Sequence, residues 1–453
     1  MNDSSIILSF YGDDFTGSTD AMESLTTHGL PTVLFLDVPD PSLLKERFSY
    51  ARCIGVAGSS RSMTPAQMEQ ELPSILSKLK ALGSDFVHYK VCSTFDSSSS
   101  IGNIATVHKM AQKVWNHPIW VPVFAAAPDL NRYTVFGNHF ATFDHETYRL
   151  DRHPTMSRHP ITPMNESDLR FVLKNQGVQG SMELISVLNL DQSEDQLLSI
   201  LDHKISNQPS VVLFDSLTNE HVKKVGRLIA YSKEKNDPRF IIGSSGVGSA
   251  IASLYQGDKR YNEVSETSGA DQLLVISGSC SPVTEKQIQW ALSHGFEGLS
   301  LSFQEIVNAS DNQTMKTAIL KRAIDQINKG KRLIIYTALG PDDPSIKKNQ
   351  EQIRKKGQPL SDSSKILGTF LGNLAKIIIK ETGLKRLVIA GGDTSSYATR
   401  QLDIYALEMI ASVAPGAPLC RCYSENPDLD GLELALKSGQ FGQEDYFNQV
   451  LEK

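Results

Sequence analysis

The chain has 453 residues, too many for one ordinary hydrophobic core, so two domains are expected. Hydrophobic residues make up 40% and charged residues 21%, the balance of a folded globular protein, which excludes a disordered chain. A formal net charge of −6 argues against a nucleic-acid partner, whose backbone needs a basic face, but leaves room for a local basic pocket.

Residues 1–5 lack the positive region of a signal peptide and run straight into an apolar segment. No stretch approaches the roughly 20 continuous apolar residues of a membrane helix, so no membrane partner is expected. Cys53, Cys92, Cys280, Cys420 and Cys422 are odd in number and show no CxxC spacing. Disulfides and structural zinc are therefore not expected, and a reduced, cytoplasmic protein is.

In chain order, apolar runs rich in β-branched or aromatic residues at 6–10, 32–36, 53–57, 85–90, 118–125 and 211–215 read as strands. Amphipathic stretches at 64–82 and 101–115 read as helices between them. Such alternation predicts a largely parallel sheet covered on both faces. Residues 129–167, full of Pro, His, Arg and Asn, read as a long irregular segment, functional or disordered. Residues 256–272 turn polar and are the expected linker between domains at 1–255 and 273–453. Strands are again predicted at 273–277, 332–337 and 386–390, with helices at 284–294 and 364–382. The expected class is α/β: two domains, each a largely parallel sheet flanked by helices, with the active site in the cleft between them.

Candidate chemistry sits where predicted strands end, the edge at which open α/β sheets bind ligands. Asp13 and Asp14 close the first strand, and two adjacent carboxylates are costly unless something uses them. They read either as a helix cap with a dipole partner or as a general base with an anchor for substrate hydroxyls. Arg61 follows the third strand and could grip a carboxylate through two parallel hydrogen bonds. Lys90, Cys92, Ser93 and Thr94 follow the fourth, grouping a cation with hydroxyls.

In the second half, Gly278-Ser279-Cys280-Ser281-Pro282 is a small-residue turn opening a helix, and Gly391-Gly392-Asp393-Thr394 follows a strand directly. Backbone N–H groups and hydroxyls in such turns hold phosphate oxygens, and an Asp with a Thr can orient Mg²⁺ or phosphate. Residues 244–248 and Lys437-Ser438-Gly439 are further glycine-bearing turns. No GxGxxG follows a predicted strand with an acid about 20 residues on, which counts against a Rossmann oxidoreductase. His139, His145, His153 and His159 fit no HExxH-type metal spacing.

The ordered set of Gly12-Asp13-Asp14-Phe15-Thr16-Gly17, Lys90 to Thr94, the Gly278 and Gly391 turns, and Lys437 to Gly442 resembles the four-carbon acid sugar kinases across nearly the whole chain. The resemblance implies an ATP- and magnesium-dependent kinase that phosphorylates the terminal hydroxyl of a 3-oxo-tetronate, threonate or erythronate type of acid. It implies an N-terminal sugar-acid domain using Asp13 or Asp14, Arg61 and Lys90 to Ser93. It also implies a C-terminal nucleotide domain using Ser279, Cys280, Ser281, Gly391, Gly392, Asp393, Thr394 and Gly439. Many members follow the Lys-x-x-Ser-Thr group with Arg-Gly, whereas this chain reads Phe95-Asp96-Ser97. Losing one charged hydrogen bond of about 1.5–3 kcal/mol points to a different substrate. Asp96 either favours an extra hydroxyl or faces solvent. The departure also keeps open a regulatory binder on the same scaffold. A homodimer is compatible with a chain of this size.

Overall fold

The computed structural model describes residues 6–116, 119–159, 162–231, 237–255, 268–346, 348–349 and 362–453. The chain divides into two compact units, Met1–Val33 with Asp37–Glu263, and Leu34–Leu36 with Val264–Lys453. Most of the predicted linker, residues 256–267, lies outside the described residues.

The strands up to residue 243 are β1 (Leu8–Gly12), β2 (Thr32–Phe35), β3 (Cys53–Ala57), β4 (Phe86–Lys90), β5 (Val121–Phe124), β6 (Arg132–Val135), β7 (Asn138–Phe143), β8 (Glu146–Arg149), β9 (Met182–Ile185), β10 (Val211–Phe214) and β11 (Arg239–Gly243). In the first unit they run in the order β3-β1-β4-β11-β5-β10-β9, all parallel. Strands β1, β3 and β4 are buried at every position, as expected of a parallel sheet covered on both faces.

Helix signals in the sequence act where they were read. Thr64 caps the helix Pro65–Ala81 in a reciprocal box with Gln67, and Pro65 occupies the first turn. The helix buries Met68, Leu72, Leu76 and Leu79, spaced along one stripe. Burying each such leucine is worth about 1.5–3 kcal/mol. They join Val107, Met110 and Trp115 of the Asn103-capped helix Ile104–Trp115 in one core with Val87 and Tyr89 of β4.

Residues 129–167 depart from the irregular segment expected. Strands β6, β7 and β8 form a three-stranded antiparallel sheet there, followed by short 3₁₀ turns. Its strands are short and half-exposed, so the apolar signal that marks the other strands is weak. Asp215, just past β10, pins the β6–β7 turn by accepting the N–H groups of Phe136 (2.6 Å) and Gly137 (2.9 Å).

The second unit contains β12 (Leu274–Ser277), β13 (Phe296–Ser300), β14 (Arg332–Tyr336), β15 (Arg386–Ala390), β16 (Ile404–Ala414), β17 (Ala417–Ser424) and β18 (Glu433–Lys437). Their order is β13-β14-β12-β15-β18-β17-β16. The first five are parallel, and β16 and β17 add an antiparallel hairpin that the sequence reading did not foresee. The class is therefore α/β in both units, with largely parallel sheets.

Candidate active site

In the first unit the parallel register aligns Ala57, Gly12, Lys90 and Gly243 in one row at the carboxyl edge. The residues that follow Gly12, Ala57 and Lys90 meet above it. Asp13 donates its N–H to the Lys90 carbonyl at 2.9 Å and accepts the Arg61 N–H on its own carbonyl at 3.0 Å. Arg61 is carried on a short turn held from below. Ser60 Oγ lies 2.7 Å from the Tyr89 hydroxyl, and Tyr89 stacks on Tyr11 at 5.8 Å between centroids.

Asp13 and Asp14 are both buried, but their surroundings differ. Asp14 is the N-cap of the helix Phe15–Thr27, accepting Gly17 N–H at 2.9 Å. Its other oxygen accepts the Thr16 hydroxyl at 2.9 Å and pairs with Arg61 Nη1 at 2.9 Å. Burial would raise its pKa, yet Arg61, Lys90 and these hydrogen bonds hold it below the usual carboxylate range. The capping reading thus describes Asp14. Asp13 is 3% exposed, and its Oδ1 has no hydrogen-bond partner among the described residues. Burial, helped by the neighbouring Asp14 charge, pushes it up to about 7.

Lys90 is buried, and its ammonium pairs with Asp20 at 3.4 Å. Burial disfavours its charge, but Asp20, Asp14 and Asp13 together outweigh that and raise its pKa. Gly17 makes room for this cation: a Cβ there would lie 2.8 Å from Lys90 Nζ and 2.4 Å from Asp14 Oδ1. The sequence reading missed Asp20. The available signal was Lys90 itself, because a lysine ending a strand buried at every position needs a buried carboxylate partner.

The run after β4 is tied to the small sheet. Ser93 offers its carbonyl to His139 Nε2 at 2.8 Å, so His139 is the Nε2–H tautomer. Its Nδ1 accepts the Thr134 hydroxyl at 3.0 Å, and burial lowers its pKa to about 4, keeping it neutral. Cys92 Sγ lies 3.2 Å from the Thr94 hydroxyl, which donates to Asp96 Oδ1 at 2.5 Å. Burial, then Asp96, push the Cys92 thiol up to about 12, which leaves it protonated and non-nucleophilic. Asp96 is itself buried and does not face solvent, which settles one of the two readings it carried.

In the second unit, Ser277, Ala390 and Lys437 form a second row at the ends of β12, β15 and β18. This row brings three predicted turns together. A Cβ on Gly278 would meet Thr394 Oγ1 at 2.3 Å, and one on Gly439 would meet Ser281 Cβ at 2.8 Å. Gly391, at φ 122, precedes the helix Gly392–Thr399, with Asp393 in its first turn. Ser281 caps the helix Pro282–Ser293 and donates its hydroxyl to the Gly439 carbonyl at 2.5 Å. Ser279 donates to Thr284 Oγ1 at 3.1 Å, whereas the Cys280 side chain is exposed. Lys437, wholly buried, donates to Thr284 Oγ1 at 3.1 Å and to the Ser438 carbonyl at 2.8 Å, and burial lowers it to about 7. The sequence reading had given Lys437 no role. The turn at 244–248 is different in kind: a Cβ on Gly246 would lie 1.9 Å from the Ala126 carbonyl oxygen, so this glycine serves helix packing.

Among the described residues no group of three or more His, Cys, Asp or Glu is arranged to hold a metal ion, and no helix is long and apolar enough to cross a membrane.

A family model described as a sugar-binding N-terminal domain matches residues 8–251, and one described as a nucleotide-binding C-terminal domain matches residues 274–447. The 3-oxo-isoapionate kinase of Paraburkholderia graminis is 40% identical over 451 residues, covering 99% of this chain and 94% of the relative. The chain belongs to the four-carbon acid sugar kinase family. Within that family, the 3-oxo-tetronate kinase of Pectobacterium atrosepticum is 28% identical, covering 98% of each chain. A solved structure from Salmonella typhimurium LT2 has the same fold, with a TM-score of 0.77 at 24% identity and 98% coverage of both chains.

Proposed function

We propose that this protein is an ATP-dependent kinase that transfers the γ-phosphoryl group to the terminal hydroxyl of a 3-oxo sugar acid. The observation that carries the reading is Asp13, a buried carboxylate with one unpartnered oxygen and a pKa raised to about 7. A group so poised accepts a hydroxyl proton near neutral pH, the general-base task in such a transfer. Asp14 is fixed by Arg61, Thr16 and Gly17, and serves as the anchor beside it.

In this reading Arg61, Lys90, Cys92, Ser93 and Thr94 form the acid-binding side, within a domain spanning 1–255. The nucleotide domain spans 273–453, where N–H groups and hydroxyls of Ser279, Cys280, Ser281, Gly391, Gly392, Thr394 and Gly439 cradle phosphates. Asp393 fits a magnesium ion, which typically takes one or two carboxylates plus substrate phosphates and keeps several waters. Bound there, it would supply charge neutralisation on the phosphates. Relatives named as kinases over nearly the full length support catalysis over a purely regulatory role. The reading also places the enzyme in the cytoplasm, in keeping with five unbridged cysteines.

The higher identity to a 3-oxo-isoapionate kinase than to a 3-oxo-tetronate kinase favours an isoapionate-type acid. ATP-to-ADP turnover should be measured with both 3-oxo acids, the threonates and the erythronates, with and without Mg²⁺. Magnesium-dependent turnover strongest with 3-oxo-isoapionate is expected. ATP binding with turnover of none of these acids would refute the kinase reading.

One substitution tests the nucleotide side separately. Gly278→Ala drives a Cβ into Thr394, so the KM for ATP should rise about ten- to a hundredfold. The KM for the acid should stay close to wild type. Equal rises in both constants would mean that the turn does not hold nucleotide.

A further inference from the structure

The first unit contains one more cation at its carboxyl edge, and its hydrogen bonding is incomplete. Arg132 opens β6 and is bridged back to Ala127, just beyond β5, by Ala127 N–H to Arg132 O (3.0 Å) and Arg132 N–H to Ala127 O (3.1 Å). Strand β5 pairs with β11 through Gly243 and Phe124, so this bridge stands over the same edge as Gly12 and Lys90. The guanidinium is held by Nη1, which donates to the carbonyls of Leu130 (2.9 Å), Asn131 (3.2 Å) and Thr142 (3.3 Å). Its Nε–H is shut off from solvent and has no partner among the described residues. An unsatisfied buried donor costs about 1–3 kcal/mol, more when charged.

The carboxylates that act on this guanidinium are those of the site, Asp96 and Asp20. None of the acids forms an ion pair with it among the described residues, and Asp96 already accepts the Thr94 hydroxyl. With Nη1 tethered, the remaining Nε–Nη2 edge presents two parallel donors, the geometry that matches a carboxylate.

We infer that Arg132 binds the carboxylate of the sugar-acid substrate through this edge, and so makes the enzyme require an acid. The inference rests on the kinase reading above and adds the group by which an acid is told from a neutral sugar. Arg61 and Lys90, paired with Asp14 and Asp20, then line the acid-binding side without gripping the carboxylate themselves.

The test is steady-state kinetics of wild type, Arg132→Met and Arg132→Lys, using 3-oxo-isoapionate and 3-oxo-tetronate, each as the acid and as its primary amide. Wild type should prefer acid to amide by about tenfold or more, and Arg132→Met should raise the KM for the acid about ten- to a hundredfold. The KM values for the amide and for ATP should stay within about twofold, and Arg132→Lys should fall between. Acid and amide constants rising together in a folded Arg132→Met protein would overturn the inference, as would a lower kcat with the acid preference intact. If the Met variant melts below the assay temperature, the acid-to-amide ratio of Arg132→Lys decides: a ratio equal to wild type refutes the assignment. Failure of wild type on both acids would instead remove the 3-oxo-acid reading on which the inference rests.

Discussion

Asp13→Asn is expected to lower kcat about 10²- to 10⁴-fold while binding of ATP stays close to wild type. The asparagine keeps the shape of Asp13 but has no oxygen able to take a proton from the substrate hydroxyl. The wild-type pH profile should carry the same signature. Because the carboxyl is raised to about 7, kcat/KM should fall below that pH as Asp13 becomes protonated, and level off above it. Stability should move the other way. A carboxyl with a raised folded pKa is carried without penalty when protonated, and costs folding free energy as pH climbs from the ordinary value of 3.8 through about 7. Asp13→Asn should therefore melt above wild type at pH 8, with the gap narrowing toward pH 5. A variant that turned over normally, or that melted lower at pH 8, would remove Asp13 as the base.

The largest loss of stability is expected from Lys90→Met. Its ammonium is 1% exposed and stands among Asp13, Asp14 and Asp20. Removing it leaves three buried acids with less compensation, and breaking such a pair typically costs 3–5 kcal/mol, so a loss of about that size is predicted. Part would be recovered as Asp13 takes up its proton, so the deficit should shrink in acid. Denaturant midpoints at pH 5.5 and 8 measure both effects. A deficit under about 1 kcal/mol at pH 8 would show that the cation is not what holds the acids together.

Several strand ends were legible in the sequence because most of the parallel strands are dominated by apolar residues. Each ends in the small or charged residues that start the next turn, as Phe10 to Asp14 and Ile389 to Asp393 do. That is why Asp13, Arg61, Lys90 and the Gly278 and Gly391 turns could be named in advance. Partners were harder to read. Asp20 lies inside a helix whose outward pattern gives no hint that it answers a lysine 70 positions later. Arg132 and His139 belong to a small sheet whose half-exposed strands alternate weakly, so they looked like parts of a loop. Hairpin β16–β17 was missed for a related reason, since its register shifts break the strict alternation. Nothing in the residue types separates Asp13 from Asp14. The distinction arises only when the chain folds and one carboxyl finds Arg61, Thr16 and Gly17 while the other is left with an open oxygen.

The row of Ser277, Ala390 and Lys437 also sets rules for how this chain can change in length. Inserting or deleting one residue within β12, β15 or β18 would move its turn by about 3.3 Å and swing every later side chain to the opposite face. Three turns that must meet cannot absorb such a slip separately. The helices and loops that return the chain to the far edge carry no such constraint, because their ends need only reach the next strand. Insertions and truncations should therefore be tolerated in those return segments and excluded from the three strands, and a deletion scan of the second unit would divide along that line.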